Sequence, residues 1–466
     1  MTDGSNAGSG DRPHESRRAK KRALANEQRL LALGEVVDES SGVKRRRPKR
    51  PHRTRRRIII SLVVVVALAG IVVGGGYLYA QYRFNQIPKV KVADELPQLS
   101  GKPFNILVIG SDSRAGLTGA VAAQTGASTG SVAGQRSDVI KVVHVDPVAD
   151  TISILSIPRD TMTTLLANQA LYGKFNRINV NLDNGPSLLA QTITANFGIP
   201  ITHTIVVSFG GLINAADAIG GVYLDFPYPS HDPYSGLAIT HAGCQLVTGF
   251  QALAVSRSRH FYYNVKGDSV WPGNNTSYDE LYNLGWMYDG TSDFGRIDRQ
   301  NAFLRGVLNR ARGLYNPLTL NSFLSKIPQG ITLDSNFTLN ELIALAVKFH
   351  NLSTSNLYTY TIPVTDGQIP SLGDVLFVEQ PEAQQMLVNI FGSGLLTPAD
   401  PPPNSALETP LPPVITPSTT TTSSTTTTLK DTKKKHTSSA TTTSTTTTTI
   451  NSTLAVPSFD PVPCTP

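Results

Sequence analysis

The chain has 466 residues, 40% of them hydrophobic, which leaves room for one or two globular domains. Its formal charge of +7 is unevenly placed: residues 1–57 hold 17 Lys and Arg against 7 Asp and Glu, so of the totals of 41 and 34 only 24 basic and 27 acidic residues remain for 58–466. The basic balance therefore says nothing about the main domain. Two cysteines limit the chain to one disulfide, and the nine scattered histidines exclude zinc-ligand spacing.

In chain order, residues 1–57 form a polar, basic segment expected to be largely disordered, with one helical patch over AKKRALANEQRLLALGEVV (19–37). The uncharged stretch IIISLVVVVALAGIVVGGGYLYA (58–80) is long enough for a transmembrane helix, which needs roughly 20 residues. KRRRPKRPHRTRRR (44–57) precedes it, and Tyr77, Tyr79 and Tyr82 lie at its far end. The positive-inside rule predicts a single-pass cell-membrane protein with a cytoplasmic N-terminus and an extracytoplasmic domain. The apolar run is too long and too late for a cleaved signal peptide, so an uncleaved anchor is expected. Residues 81–103 read as a stalk.

A globular region is expected over 104–394. Apolar strand-like runs (FNILVIG at 104–110, DVIKVVHV at 138–145, TISILSI at 151–157, THTIVVSF at 202–209) alternate with helical ones such as SLLAQTITANFG (187–198). Runs like NILVI lack polar alternation, as central strands covered on both faces do. The pattern predicts an α/β/α sandwich around a central mixed sheet. Residues 395–466 are rich in Pro, Thr and Ser and read as a disordered tail. Cys244 and Cys464 both fall on the outer side, where a bridge is permitted but not dictated.

Five short stretches put Asp or Arg at the ends of apolar elements: GSDSR (110–114), RSD (136–138), SIPRD (156–160), SRSRH (256–260) and DFGRIDRQ (293–300). They supply Arg114, Arg136, Arg159, Arg257, Arg259, Arg296 and Arg299 against Asp112, Asp138, Asp160 and Asp293. In SRSRH the helix of GFQALAV is expected to end near Ser256, so that both arginines face one way. Within DFGRIDRQ, Arg296, Arg299 and Gln300 stand at i, i+3 and i+4 of a predicted helix and are expected to share one face. Guanidinium groups grip phosphate oxygens in two places. Asp112 and Asp138 are candidate ligands for a hard divalent cation, which takes one or two carboxylates and completes its shell with water and phosphate oxygens. Taken singly, each stretch reads equally as a solvated corner; together they suit a metal-bound polyanion, most simply a diphosphate. The chain has no P-loop and no G-x-S-x-G elbow.

In this order, NILVIGSDSR, RSDVIKVVHVDP, ISILSIPRDT, KFNRINV, INAADAIGGVYLDFPYP, GFQALAVSRSRH and DFGRIDRQNAFL resemble the LytR–CpsA–Psr cell-wall ligases, actinobacterial type, over roughly 104–312. The resemblance implies transfer of a glycopolymer from a polyprenyl-diphosphate carrier to peptidoglycan, with a phosphodiester to the muramic acid 6-OH and an apolar tunnel for the prenyl chain. It implies Mg²⁺, with Mn²⁺ as a substitute, on Asp112 and Asp138. Arg159, Arg257, Arg259, Arg296 and Gln300 would bind the diphosphate with Arg299 beside them, and Asp160 would orient them. Asp112, Asp160, Arg159 and Arg257 are the catalytic candidates; Asp112 or Asp160 could serve as a base, though a metal-bound carboxylate is a poor one and a loose transition state demands little of it. Free diphosphate hydrolysis is an open side activity, and arabinogalactan or a teichoic acid an open choice of polymer. Two stretches depart from the shorter family pattern: 116–135, and the aromatic-rich 260–292, which reads either as a glycan-facing lid or as an ordinary insertion. Competing readings are a non-catalytic wall-polymer-binding protein, a membrane-bound transcriptional attenuator, or an enzyme whose acceptor is a surface protein. The basic stretch is explained by topology, so no nucleic-acid partner is expected.

Overall fold

The computed structural model describes residues 17–40, 53–98, 101–114, 117, 119–125, 137–311, 321, 324–349, 352–403 and 459–465. The chain divides into two units, 1–75 and 76–466. In the first, a helix spans Arg17–Ser40, and a second helix, Arg53–Phe84, begins and continues into the second unit. Its Ile58–Phe84 portion is long and apolar enough to cross a membrane.

The second unit is built on a seven-stranded mixed sheet. Its spatial order is Lys89–Val90, Ile331–Asp334, His203–Val207, Phe104–Ser111, Ser137–Asp146, Thr151–Ser156 and Leu357–Thr361. Phe104–Ser111 runs parallel to His203–Val207 and antiparallel to Ser137–Asp146, which in turn runs antiparallel to Thr151–Ser156. Phe104–Ser111, His203–Val207 and Thr151–Ser156, the three strands nearest the start of Ser137–Asp146, therefore end at the same edge of the sheet. On one face Leu107, Ile109, Val142 and Leu155 pack under the helices Pro186–Phe197 and Glu382–Phe391. The other face carries Phe104, Ile106 and Val145 against Leu345, and Ile152, Ile154 and Leu357 against Leu304 and Leu308. Those partners lie on the helices Leu339–Phe349 and Asp293–Ala311. The expected α/β/α sandwich with a mixed sheet is what forms.

Two expected boundaries are corrected. Residues 81–103 are not a free stalk: Phe84, Ile87 and Val92 are buried, and Lys89–Val90 pairs in parallel with Leu333–Asp334 as an edge strand. The apolar residues of this stretch are too sparse for a periodic signal, yet Phe84, Ile87 and Val92 reach the core. Nor is all of 395–466 a loose tail. Val462–Pro463 pairs with Leu224–Asp225, Phe459 stacks on Tyr263 at 4.6 Å, and Cys464 is bonded to Cys244. A Thr-rich average conceals these last apolar residues; the stretch 404–458 lies outside the described residues.

The disulfide closes a separation of 220 residues, for which chain entropy sets an upper limit of about 5 kcal/mol on its stabilisation. Reduction, or Cys244→Ser combined with Cys464→Ser, is expected to lower the melting temperature. Thermal melts with and without dithiothreitol check this, and superimposable melts would show that the closing segment adds no stability.

Candidate active site

The site lies where the three strand ends converge, the usual ligand position in an open α/β sheet. Gly110 comes so close to the neighbouring strand that a Cβ would fall 2.7 Å from the Cβ of Val139. The register shifts between Gly110 and Ser111, a bulge that turns the following Asp112 and Arg114 away from the ladder. A cavity of about 380 Å³ opens here. Its walls are largely apolar (Val108, Val139, Val207, Leu212, Leu253, Phe303), and its charged and amide groups include Asp138, Arg159, Arg257, Arg259, Arg296 and Gln300.

Each cation is held differently. Arg159 donates to Asp138 Oδ1 at 2.7 Å and contacts Asp160 at 3.4 Å. Burial lowers its basicity, but Asp138 and Asp160 overcome this and hold it above the ordinary value. Asp160 also meets Arg177 at 3.5 Å. Asp293 bridges Arg259 at 3.1 Å and Arg296 at 2.9 Å, and Arg296 donates to the Asp138 carbonyl at 2.9 Å. The Gln300 amide donates to the Ser256 carbonyl at 2.9 Å, fixing the end of the Gly249–Arg257 helix.

Arg257 stands apart. Its guanidinium carbon sits 4.7 Å from the Phe209 ring centroid, and its buried Nη1 has no partner among the described residues. Burial pushes it below the usual arginine range, with the Asp138 charge opposing. Ser258 is extended, so the helix stops between the two arginines and both reach the cavity, as expected. Asp112 bears electrostatically on Arg257 but does not line the cavity, and Arg114 does the same. Arg136 lies outside the described residues.

Arg299 is the correction. It is 0% exposed, pairs with Asp289 at 2.8 Å and Asp460 at 2.6 Å, donates to the Ser258 carbonyl and sits over the Phe261 ring. It is absent from the cavity wall. Arg296 and Gln300 do share a face; Arg299, rotated about 60° from Arg296 on the helix wheel, enters the interior instead. Gly295 is part of this arrangement, since a Cβ there would meet Asp289 Oδ2 at 2.5 Å and Arg299 Nη2 at 2.8 Å.

Sequence reasoning missed Asp232 and Lys141. The buried Asp232 carboxylate accepts from the Ser258 hydroxyl at 2.7 Å and from the backbone N–H groups of Tyr234, Ser235, Arg259 and His260. Burial raises its pKa, but these donors outweigh it and hold the group below the ordinary value. It thereby shapes the loop carrying Arg257 and Arg259. PSHDPY gives no local sign of this. Lys141 had a sign, a lone charge inside DVIKVVHV. It lines the cavity and donates to Ser156 Oγ at 2.6 Å and Asn301 Oδ1 at 2.8 Å.

Burial, then the Arg296 charge, push the Lys141 ammonium down to about 7 from 10.5. Below pH 7 both folded and unfolded chains carry the proton and the whole cost of the buried charge is present. Between about 7 and 10.5 the unfolded chain binds more protons, so this cost fades by about 1.4 kcal/mol per pH unit. Lys141→Met is therefore expected to gain stability over the parent at pH 6.5 and to lose that advantage towards pH 10. Paired denaturation curves check it; an advantage independent of pH would contradict the assignment.

The family description LytR_cpsA_psr matches residues 80–269 and 286–391, and the chain belongs to that family. A probable cell wall biosynthesis protein, LcpB of Corynebacterium glutamicum, is 26% identical over 312 residues, 66% of this chain and 65% of its own length. The polyisoprenyl-teichoic acid–peptidoglycan teichoic acid transferase TagV of Bacillus subtilis is 25% identical over 279 residues, 60% of this chain and 61% of its own. The chain thus spans less than two thirds of both relatives. Among solved structures, a LytR-Csp2A-Psr enzyme from Actinomyces oris superposes with a TM-score of 0.49 at 21% identity, covering 68% of this chain and 99% of that one.

Proposed function

We propose that the chain is a membrane-anchored phosphotransferase that moves a glycopolymer from a polyprenyl-diphosphate carrier to peptidoglycan, forming a phosphodiester to the muramic acid 6-OH. The observation that carries this is Arg257, a half-buried side chain on the wall of a largely apolar cavity, whose buried Nη1 has no partner among the described residues. A burial so costly makes sense when an anion completes it. A ligand with a diphosphate head and a hydrocarbon tail suits the charged and apolar linings of the cavity; the name of TagV gives a polyisoprenyl-linked polymer as that protein's donor, and the name of LcpB places that protein in cell wall biosynthesis. The basic N-terminal segment before the apolar helix and the disulfide both support an extracytoplasmic domain.

Arg159, Arg257, Arg259 and Arg296 hold the diphosphate oxygens and offset charge as the phosphorus transfers, where most catalysis of such reactions lies. Asp138 and Asp293 fix the arginines and Gln300 fixes the helix end that presents Arg257. The sugar hydroxyl attacks in line. Asp160, engaged by two guanidinium groups, orients rather than abstracts, and a loose transition state asks little of a base. Water in place of the sugar hydroxyl gives diphosphate hydrolysis as the side activity.

Among the described residues no cluster of three or more His, Cys, Asp or Glu could hold a metal by itself. Asp138, with one carboxylate oxygen engaged by Arg159, and Asp112, which follows the cavity-lining Ser111, would hold Mg²⁺ in its sparser mode, with one or two carboxylates and the remaining oxygens from water and phosphate. Bound there, Mg²⁺ or Mn²⁺ supplies charge neutralisation at the leaving prenyl phosphate.

The test is transfer by the purified full chain from a carrier-linked glycan to peptidoglycan, read by mass spectrometry of wall fragments. The expected result is a phosphodiester-linked product that chelation with EDTA abolishes and Mg²⁺ restores. Polymer binding without turnover would instead identify a non-catalytic wall-binding protein.

A further inference from the structure

Residues 260–292 build more than a surface loop. Tyr262–Asn264 and Trp286–Tyr288 join Ser230–Asp232 and Leu237–Ile239 in a four-stranded sheet. Tyr262 lies directly opposite both His231 and Tyr288 in the register, so the three rings share one face. The rings run on without a break: Tyr234 to His260 at 4.5 Å, His260 to Tyr288 at 6.5 Å, Tyr288 to Tyr262 at 5.1 Å and Tyr262 to Trp271 at 5.0 Å. Trp271 then stacks on His231 at 4.4 Å, and its indole N–H donates to Asn274 at 2.9 Å.

The near end of this ladder is the rim of the arginine-lined cavity, because Tyr234 and His260 line that cavity. Tyr234 is 70% exposed, His260 is exposed, and Tyr262 and Tyr288 are half-buried. None of the three tyrosine hydroxyls is hydrogen-bonded among the described residues. The far end lies outside the family match: Trp271 falls within 270–285, between the two matching segments.

We infer that the ladder from Tyr234 to Trp271 is a carbohydrate subsite that holds the glycan of the carrier-linked donor as it leaves the cavity. This rests on the transferase reading. The glycan is covalently joined to the diphosphate, so with the phosphates at Arg257 and Arg259 its first sugars emerge past His260 and Tyr234. An aromatic face is electron-rich, and the C–H face of a sugar ring is apolar with weakly positive hydrogens, so the two stack while the hydroxyls bond at the ring edge. A row of rings with unengaged phenols offers both contacts over several sugars. The acceptor hydroxyl needs only to reach the phosphorus and has no such tether to the rim.

The chain's only two tryptophans, Trp271 and Trp286, are 5.2 Å apart at the far end, so the site carries its own fluorescent reporter. Full-length protein in detergent is titrated with phosphate-free oligosaccharides (galactan, arabinan and N-acetylhexosamine types), and separately with soluble GlcNAc–MurNAc chains. The expected result is a saturable fluorescence change with at least one of the first group. Tyr234→Ala and Tyr288→Ala each weaken it about 3- to 10-fold, and Tyr288→Phe, which keeps the ring, holds the stacking share. Tyr234 is a surface side chain, so its loss tests binding without risk to the fold. Arg257→Ala keeps oligosaccharide binding while losing transfer, so failure of the transferase reading and failure of this subsite give different results. Absence of any saturable change, a response to the peptidoglycan chains alone, or unaltered affinity in both alanine variants overturns the proposal.

Discussion

Arg257→Ala is expected to reduce glycopolymer transfer by about 10²–10³-fold, the scale of losing one preorganised charge-stabilising donor. The melting temperature should be unchanged or slightly higher. Among the described residues Arg257 has no ion pair, and its burial opposes its charge, so the fold loses little when it goes. Arg257→Lys restores the charge but not the planar fork and is expected to recover only part of the rate. Transfer kinetics alongside thermal melts check both parts. Transfer at the parent rate by the alanine variant would remove Arg257 from the chemistry.

Arg299→Ala has the opposite signature. It removes the shared partner of two buried carboxylates, Asp289 and Asp460, leaving like charges close together without compensation. Breaking a buried pair in this way costs about 3–5 kcal/mol. The cost here is raised by the tie between the chain's last described segment and the Asp293–Ala311 helix. Burial pushes Asp460 up to about 6 even with Arg299 beside it, so removing the guanidinium leaves that carboxyl favouring its protonated form. Denaturant unfolding at neutral pH is expected to show the loss. A variant as stable as the parent would mean that the buried cluster is not what anchors the C-terminal segment.

These two arginines show where the sequence was legible and where it was not. Strand-like runs without polar alternation located the central strands to within a residue or two, because burial on both faces leaves a continuous apolar run. Arg159, Arg257, Arg259 and Arg296 fell into one cavity because each follows or opens an apolar element, and those elements meet at one sheet edge. Arg299 has the same local appearance as Arg296, and three residues along a helix place it nearby. What separates them is Asp460, 161 residues away, with no trace in the DFGRIDRQ stretch. The same holds for Asp232, three of whose five donors arrive only once SRSRH has folded back over it. The Cys244–Cys464 bond could not be chosen from composition, since a Thr-rich average masks the few apolar residues that dock the chain's end. Long-range partners of this kind are fixed by topology, and periodicity does not carry them.

The central claim is that the cavity at Arg257 receives an anionic head together with an apolar tail. The most direct measurement is calorimetric titration of the full chain with a short prenyl diphosphate, set against inorganic diphosphate and the matching prenyl alcohol. Saturable binding of the prenyl diphosphate is expected, with much weaker binding of either half alone and a large loss of affinity in Arg257→Ala. Equal affinity for inorganic diphosphate, or binding indifferent to Arg257, would contradict it.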